Sequence, residues 1–134
     1  IEDLELQIAI NSEWQTGMSS SIKTGLARLL EIEPDLEAAL ITLMDQTLIT
    51  SKHLAQFVER FNADGPPIIA AAYDGVAGVP ALFSHKLYDE LRALKGEKGA
   101  RAVIRARENV VTIDLKEAIV DIDNMNDLLK IRTE

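Results

Sequence analysis

A chain of 134 residues, 47% hydrophobic and 27% charged, is long enough for one domain with a buried core. Its formal net charge of −8 argues against a nonspecific nucleic-acid binder, which needs clustered Lys and Arg to displace counterions. The absence of cysteine excludes disulfides and thiolate chemistry, and no apolar run is long enough to cross a bilayer. No basic segment followed by an apolar core marks a secretory signal, so the expected compartment is the cytoplasm.

Leu4, Leu6, Ile8 and Ile10 alternate, which predicts a strand. The polar stretch Asn11 to Gly17 predicts a loop, and Met18 to Ile32 a helix with Ile22, Leu26, Leu29 and Leu30 on one face. Ser19, Ser20 and Ser21 open that helix, where hydroxyls cap free amides and the same amides can bind an anion. After the break at Glu33-Pro34-Asp35, the near-continuous apolar run Ala38 to Met44 predicts a buried, central, parallel strand. It ends in Asp45-Gln46, a carboxylate followed by a carboxamide. Open α/β sheets bind ligands at the carboxyl edge of their strands. There Asp45 suits a metal ion or a polar substrate; beginning a turn or capping a helix explains it as well.

A helix follows, capped by Thr50 or Ser51, with Leu54, Phe57, Val58 and Phe61 as its apolar stripe. Asn62 to Pro67 ends it. Ile68 to Tyr73 is a buried strand, Asp74 to Pro80 a turn with two glycines, and Ala81-Leu82-Phe83 a short apolar run. Ser84 opens a helix bearing Leu87, Leu91 and Leu94. The loop Lys95 to Gly99 leads to a helix over Ala100 to Arg107, then a strand over Asn109 to Leu115. Ala118 to Asp123 predicts a last short strand, and Asn124 the cap of a closing helix with Leu128, Leu129 and Ile131. Alternating strands and helices indicate one α/β domain. The strands around Ala81 and Asn109 suggest a small mixed or antiparallel section.

Four stretches carry chemistry-bearing residues at loops or strand ends. These are Gly17 to Ser21, Asp45-Gln46, Gly96-Glu97-Lys98-Gly99-Ala100-Arg101, and Asp121-Ile122-Asp123. In the third, two glycines admit close backbone approach, and Lys98 and Arg101 suit phosphate; a solvated polar turn accounts for it equally well. In the fourth, strand alternation puts both carboxylates on one face, where they could join Asp45 around a hard divalent cation; a solvent-facing edge accounts for the pair by itself. Magnesium uses few carboxylates with water and substrate phosphate. His53 and His85 lack ligand spacing, and neither a nucleophile elbow nor a Walker-type loop is present.

In order, Asn11 and Trp14 before Gly17-Met18-Ser19-Ser20-Ser21, then Leu43-Met44-Asp45-Gln46, then Tyr73 to Phe83, then Gly96 to Arg101, then Asp121 to Leu128 resemble the MobA-like nucleotidyltransferases. The branch they are most similar to is the molybdenum cofactor cytidylyltransferases. The resemblance covers nearly the whole chain. It implies a three-layer, Rossmann-like nucleotidyltransferase fold with a mostly parallel sheet. It implies transfer of a nucleoside monophosphate from CTP or GTP, with Mg2+, to a phosphorylated acceptor of molybdopterin type, releasing pyrophosphate. A molybdoenzyme or cofactor-insertion partner is implied, and neither nucleic acid nor membrane. By matching motifs, Asp45 and Asp123 would hold the metal, and Arg101 would orient the acceptor's phosphate. Ser20 and Ser21 would lie near the nucleotide. Gly78, Pro80, Phe83, Gly96, Glu97 and Gly99, with Arg101, would border the acceptor pocket.

Three positions depart from the pattern. Thr47 stands where the family has proline, Glu97 where it has aspartate, and Asn124-Met125 where it has threonine-proline. The family's opening strand and glycine-rich, cationic loop have no counterpart, so the chain is expected to be N-terminally incomplete, with its Ala38 to Met44 strand short of a neighbour. A transferase acting on a sugar phosphate, and a non-catalytic cofactor-binding module on the same fold, are the alternatives.

Overall fold

The computed structural model describes residues 6–119. Helix α1 (Met18–Ile32) is followed by β1 (Ala38–Ile41), α2 (Ser51–Asp64), β2 (Ile68–Tyr73) and β3 (Val76–Ser84). Then come α3 (Tyr88–Ala93), α4 (Ala100–Arg105) and β4 (Val111–Asp114), with short 3-10 turns at Trp14–Thr16, His85–Leu87 and Lys116–Ile119. Among the described residues the strands form one sheet in the order β1-β3-β2-β4. No described helix is long and apolar enough to cross a membrane.

The strands alternate their side chains between two helical layers. Ala39, Ile68, Ala70, Ala81 and Phe83 face Leu26 of α1, Leu91 of α3 and Val103 and Ile104 of α4. Ile69, Ala71 and Leu82 face Phe57 of α2. This is the expected three-layer α/β arrangement. The sheet is less parallel than expected. β3 runs antiparallel to both β1 and β2, and β2 pairs parallel with β4. Three of the four strands therefore point one way, with β3 reversed between two of them. The antiparallel element is central, and the strand after Asn109 joins in parallel.

The local chemistry explains most of these elements. Asp74 and Gly75 both have positive φ, 49° and 73°. That is the two-residue turn whose twist suits a hairpin, so β3 starts at Val76 and the predicted longer turn belongs to the strand. On α2, His53 Nδ1 accepts a hydrogen bond from the Thr50 N–H at 3.2 Å. Gly65, left-handed at φ 58°, closes the same helix. On α3 the Tyr88 hydroxyl donates to the Leu36 carbonyl at 3.1 Å. Burial pushes that hydroxyl's pKa above its ordinary value, with Arg92 opposing.

Two expected strands differ. Residues 6–10 form no strand, and Leu6, Ile8 and Ile10 are exposed. Their alternation supplies an apolar face, but no described strand lies beside them to pair with. The run Ala38 to Met44 is strand only to Ile41, and β1 is at the edge of the described sheet, not its centre. Nor is the run fully buried: Ala39 is buried, Ala38, Leu40 and Ile41 are half-buried, and Thr42 to Met44 are exposed, as suits a strand at the edge of the described sheet. The predicted strand Ala118 to Asp123 begins as a 3-10 turn, and its remainder lies outside the described residues, as does the closing helix.

A proline within a paired strand requires an accommodation, because it has no N–H to give the ladder. β3 meets it with a bulge. Ala70 pairs with Ala81 but Ala71 pairs with Gly78, so Val79 and Pro80 stand out of register. The freed Val79 carbonyl accepts a hydrogen bond from Gln46 Nε2 at 3.0 Å, and the same nitrogen donates to the Ala118 carbonyl at 2.9 Å. One buried carboxamide thus ties the chain after β1 to the bulge in β3 and to the turn after β4.

Gln46→Met keeps the volume and removes both donors. Orphaning two carbonyls should cost about 2–4 kcal/mol, read by urea unfolding. A loss below roughly 0.5 kcal/mol would mean the tie is not structural.

Candidate active site

Because β1, β2 and β4 point the same way, their carboxyl ends share one edge of the sheet. Asp45 follows β1 there, Tyr73 ends β2, and Gly78 lies near the start of β3. Thr47 and Ile49 donate their N–H groups to the Asp45 and Gln46 carbonyls, which folds the segment into tight turns. Asp45 is half-buried. Its Oδ1 and the Oε1 of Gln46 are enclosed without a hydrogen-bond partner among the described residues. Buried acceptors are ordinarily satisfied, so a pair of adjacent ones is an opening for a donor or a cation.

Beside this edge a cleft of about 840 Å³ runs between α1 and β1. Its wall is apolar along Ile22, Leu26, Leu29, Ile41 and Val79. At one side stand Glu97, Lys98, Gly99 and Arg101, joined by Arg28 and Arg105. Arg28 is paired with Glu31, so Lys98, Arg101 and Arg105 against Glu97 make this a basic patch on an acidic chain. Asp45 is not on the wall, but Leu43, two residues before it, is.

Two glycine loops are locked together at the mouth. The Gly96 carbonyl accepts the Ser19 N–H at 3.1 Å. A Cβ on Gly17 (φ 110°) would fall 2.4 Å from the Gly96 carbonyl carbon and oxygen, and one on Gly99 would fall 2.3 Å from Met18 Sδ. The α1 terminus therefore meets the loop backbone to backbone at Gly17, which a side chain there would prevent, while Gly99 leaves room for the Met18 side chain.

The expected site residues do not all come together. Ser21, Glu97, Gly99 and Arg101 line the cleft together. Ser20 is buried, donating to the Gly17 carbonyl at 2.8 Å and accepting from Asn11 Nδ2 at 2.8 Å; with the Ser19 amide also taken, this helix start is occupied by protein. Gly96 serves the loop-to-loop contact. Phe83 and Pro80 are core residues and do not border the pocket. Phe83 pairs in register with Ala39 and Ile68 and has no exposed surface, because strand parity turns it inward. Gly78 lies beneath the Tyr73 hydroxyl. Asp123 falls outside the described residues, among which no group of three His, Cys, Asp or Glu could hold a metal.

Tyr73, Arg28 and Arg105 were not foreseen. Arg101 Nη2 donates to the Tyr73 hydroxyl at 2.6 Å, and its guanidinium carbon sits 5.8 Å from the ring centroid. The available signal was Gly78, whose smallness leaves room for that pair.

Gly17→Ala should cost about 2–4 kcal/mol, from its backbone conformation and the collision with Gly96. A Cβ on Gly25 of α1 would meet nothing within 4 Å, so Gly25→Ala should stabilise by about 0.5–1 kcal/mol. Thermal unfolding of the two variants checks both signs at once.

The family model for the MobA-like NTP transferase domain matches residues 1–110. Among solved structures, the Rv0371c homolog from Mycobacterium sp. strain JC1 is 26% identical with a TM-score of 0.67, covering 87% of this chain and 59% of that one. Rv0371c from Mycobacterium tuberculosis H37Rv, crystallised as a complex with manganese, is 23% identical with a TM-score of 0.68, covering 85% and 60%. Molybdopterin-guanine dinucleotide biosynthesis protein A from Archaeoglobus fulgidus is 15% identical with a TM-score of 0.68, covering 96% and 68%. This chain thus spans about 60% of the length of the mycobacterial proteins it matches. Among curated proteins there is no match. With most of its length matched by the family model, and with the same fold in these structures, the chain belongs to the MobA-like NTP transferase domain family.

Proposed function

We propose that the protein is a nucleotidyltransferase that moves a nucleoside monophosphate from a nucleoside triphosphate to a phosphate-bearing acceptor. The observation that carries this reading is Asp45, a carboxylate with one enclosed, unpartnered oxygen at the carboxyl edge of the sheet, beside a cleft rimmed with cations. The acceptor's phosphate oxygen attacks the α-phosphorus in line, the bond to the β-phosphate oxygen breaks, and pyrophosphate leaves. Such transfers depend on positioning and charge neutralisation. The apolar wall of the cleft excludes water from the transferring group, while Lys98 and Arg101 attract and orient phosphate oxygens.

A hard divalent cation fits the donor set, since a carboxylate oxygen without a partner is a ligand in waiting. Asp45 and Asp123 would hold Mg2+, which when bound offsets the charge of the triphosphate. The hydrogen bond from Gln46 to Ala118 supports this pairing, because it brings the chain five residues before Asp123 to the Asp45 turn. The relative crystallised with manganese supports a divalent ion in general.

For the acceptor, the relative named for molybdopterin-guanine dinucleotide biosynthesis makes a molybdopterin-type phosphate with GTP or CTP the first pair to test. Thr47 and Glu97, where the family pattern has proline and aspartate, make sugar phosphates the second.

The test is release of labelled pyrophosphate by the intact protein from each of the four nucleoside triphosphates, with Mg2+ and either acceptor. Asp45→Asn should lower turnover by roughly 10²–10³-fold. Its unfolding midpoint should hold or rise, because the lost charge had no described partner. Undiminished turnover in that variant would remove Asp45 from the mechanism.

A further inference from the structure

Arg101 differs from most arginines around it in what it touches. Among the described residues Arg28, Arg60, Arg92 and Arg107 each form an ion pair with a carboxylate. Arg101 instead gives one N–H to a neutral hydroxyl, that of Tyr73. A carboxylate partner would cancel the guanidinium's charge as it held it. A phenol holds the group without cancelling the charge, and it uses one of five donors.

The hydroxyl is itself fixed. Tyr73 is 8% exposed, with its ring in the core cluster beneath α2. Its oxygen lies where a side chain on residue 78 would begin: a Cβ on Gly78 would be 2.5 Å from Tyr73 Oη and 3.1 Å from Arg101 Nε. Gly78 is not among the glycines with positive φ, so its backbone does not demand glycine; the space does. The glycine, the tyrosine and the arginine come from β3, β2 and α4, and they fit one arrangement. An exposed arginine otherwise loses considerable side-chain freedom when it grips a ligand. One already held loses less, and so binds more tightly.

We infer that Tyr73 is a positioning residue, whose hydroxyl, seated over Gly78, presets the Arg101 guanidinium to receive a phosphate group at the mouth of the cleft. This rests on the reading of Arg101 as a phosphate ligand given above. Tyr73 makes no contact with the reacting atoms; it acts through Arg101.

The experiment follows the Arg101 Nε–Hε resonance in the intact protein, labelled with ¹⁵N-arginine, during titration with inorganic pyrophosphate. In the wild type the signal should shift saturably. In Tyr73→Phe, which keeps the ring and removes the hydroxyl, affinity should fall roughly three- to tenfold while the other arginine signals and the unfolding midpoint stay in place. Gly78→Ala, which displaces the hydroxyl without deleting it, should weaken binding similarly and carries the same test if Tyr73→Phe fails to fold. A purely structural tyrosine would change stability and leave the Arg101 titration alone. Wild-type affinity in a folded Tyr73→Phe or Gly78→Ala protein overturns the positioning role while Arg101 remains a phosphate ligand. An Arg101 signal blind to pyrophosphate in the wild type overturns both.

Discussion

The position of Pro80 constrains the middle of this molecule. It lies just beyond the stretch of β3 that pairs with β1, and it leaves a gap in the ladder with β2 that must be absorbed. The bulge absorbs it and turns the Val79 carbonyl out, and the Gln46 carboxamide takes that carbonyl together with the one on Ala118. The backbone defect in β3 thereby determines where the turn after β1 must lie. Asp45 is the residue next to Gln46, so its position at the sheet's carboxyl edge follows from the same contact. Asp45 is held by its neighbour's hydrogen bonds, while its own Oδ1 has none among the described residues.

The second constraint is steric. Gly17 lies directly against the Gly96 backbone, and Gly99 makes room for the Met18 side chain, so the start of α1 closes on the loop before α4. The contact uses the Ser19 amide and encloses Ser20, so the helix start acts as a joint. It leaves Ser21, Lys98 and Arg101 facing the cleft. The joint sets the distance between α1 and α4, and hence the width available to a ligand.

The layer order was legible in the sequence because it rests on periodicity. Leu26 on α1 and Phe57 on α2 pack on opposite sheet faces, and the strands beneath them are apolar on both. The glycine loop before Arg101 was legible as a place for a ligand. Strand order was not, since continuous apolar residues report burial on two faces and say nothing about neighbours; β1 reads alike at a centre or an edge. Phe83 was misplaced because the expected turn through Pro80 hid the strand in which Val79, Ala81 and Phe83 alternate onto one buried face. Tyr73 was hidden for a different reason: its partner is 28 positions away, and nothing local distinguishes it from a tyrosine that only fills the core.

The carboxyl edge carries several features that a stability argument alone does not favour. Gln46 makes two good hydrogen bonds, worth about 1 kcal/mol each, yet encloses an acceptor whose desolvation costs about 1–3 kcal/mol. The enclosed acceptor offsets part of what the two bonds contribute, so the carboxamide sets the geometry of this edge as well as stabilising it. Asp45 encloses a second such oxygen beside it. Arg101, unlike Arg28, Arg60, Arg92 and Arg107, is held by a neutral partner and keeps its charge. On the proposed reading, the unspent acceptors at Asp45 and Gln46 would serve a metal ion and the uncancelled cation at Arg101 a phosphate. The fold tolerates both because the glycine joint and the bulge hold the surrounding backbone whether or not those groups are satisfied.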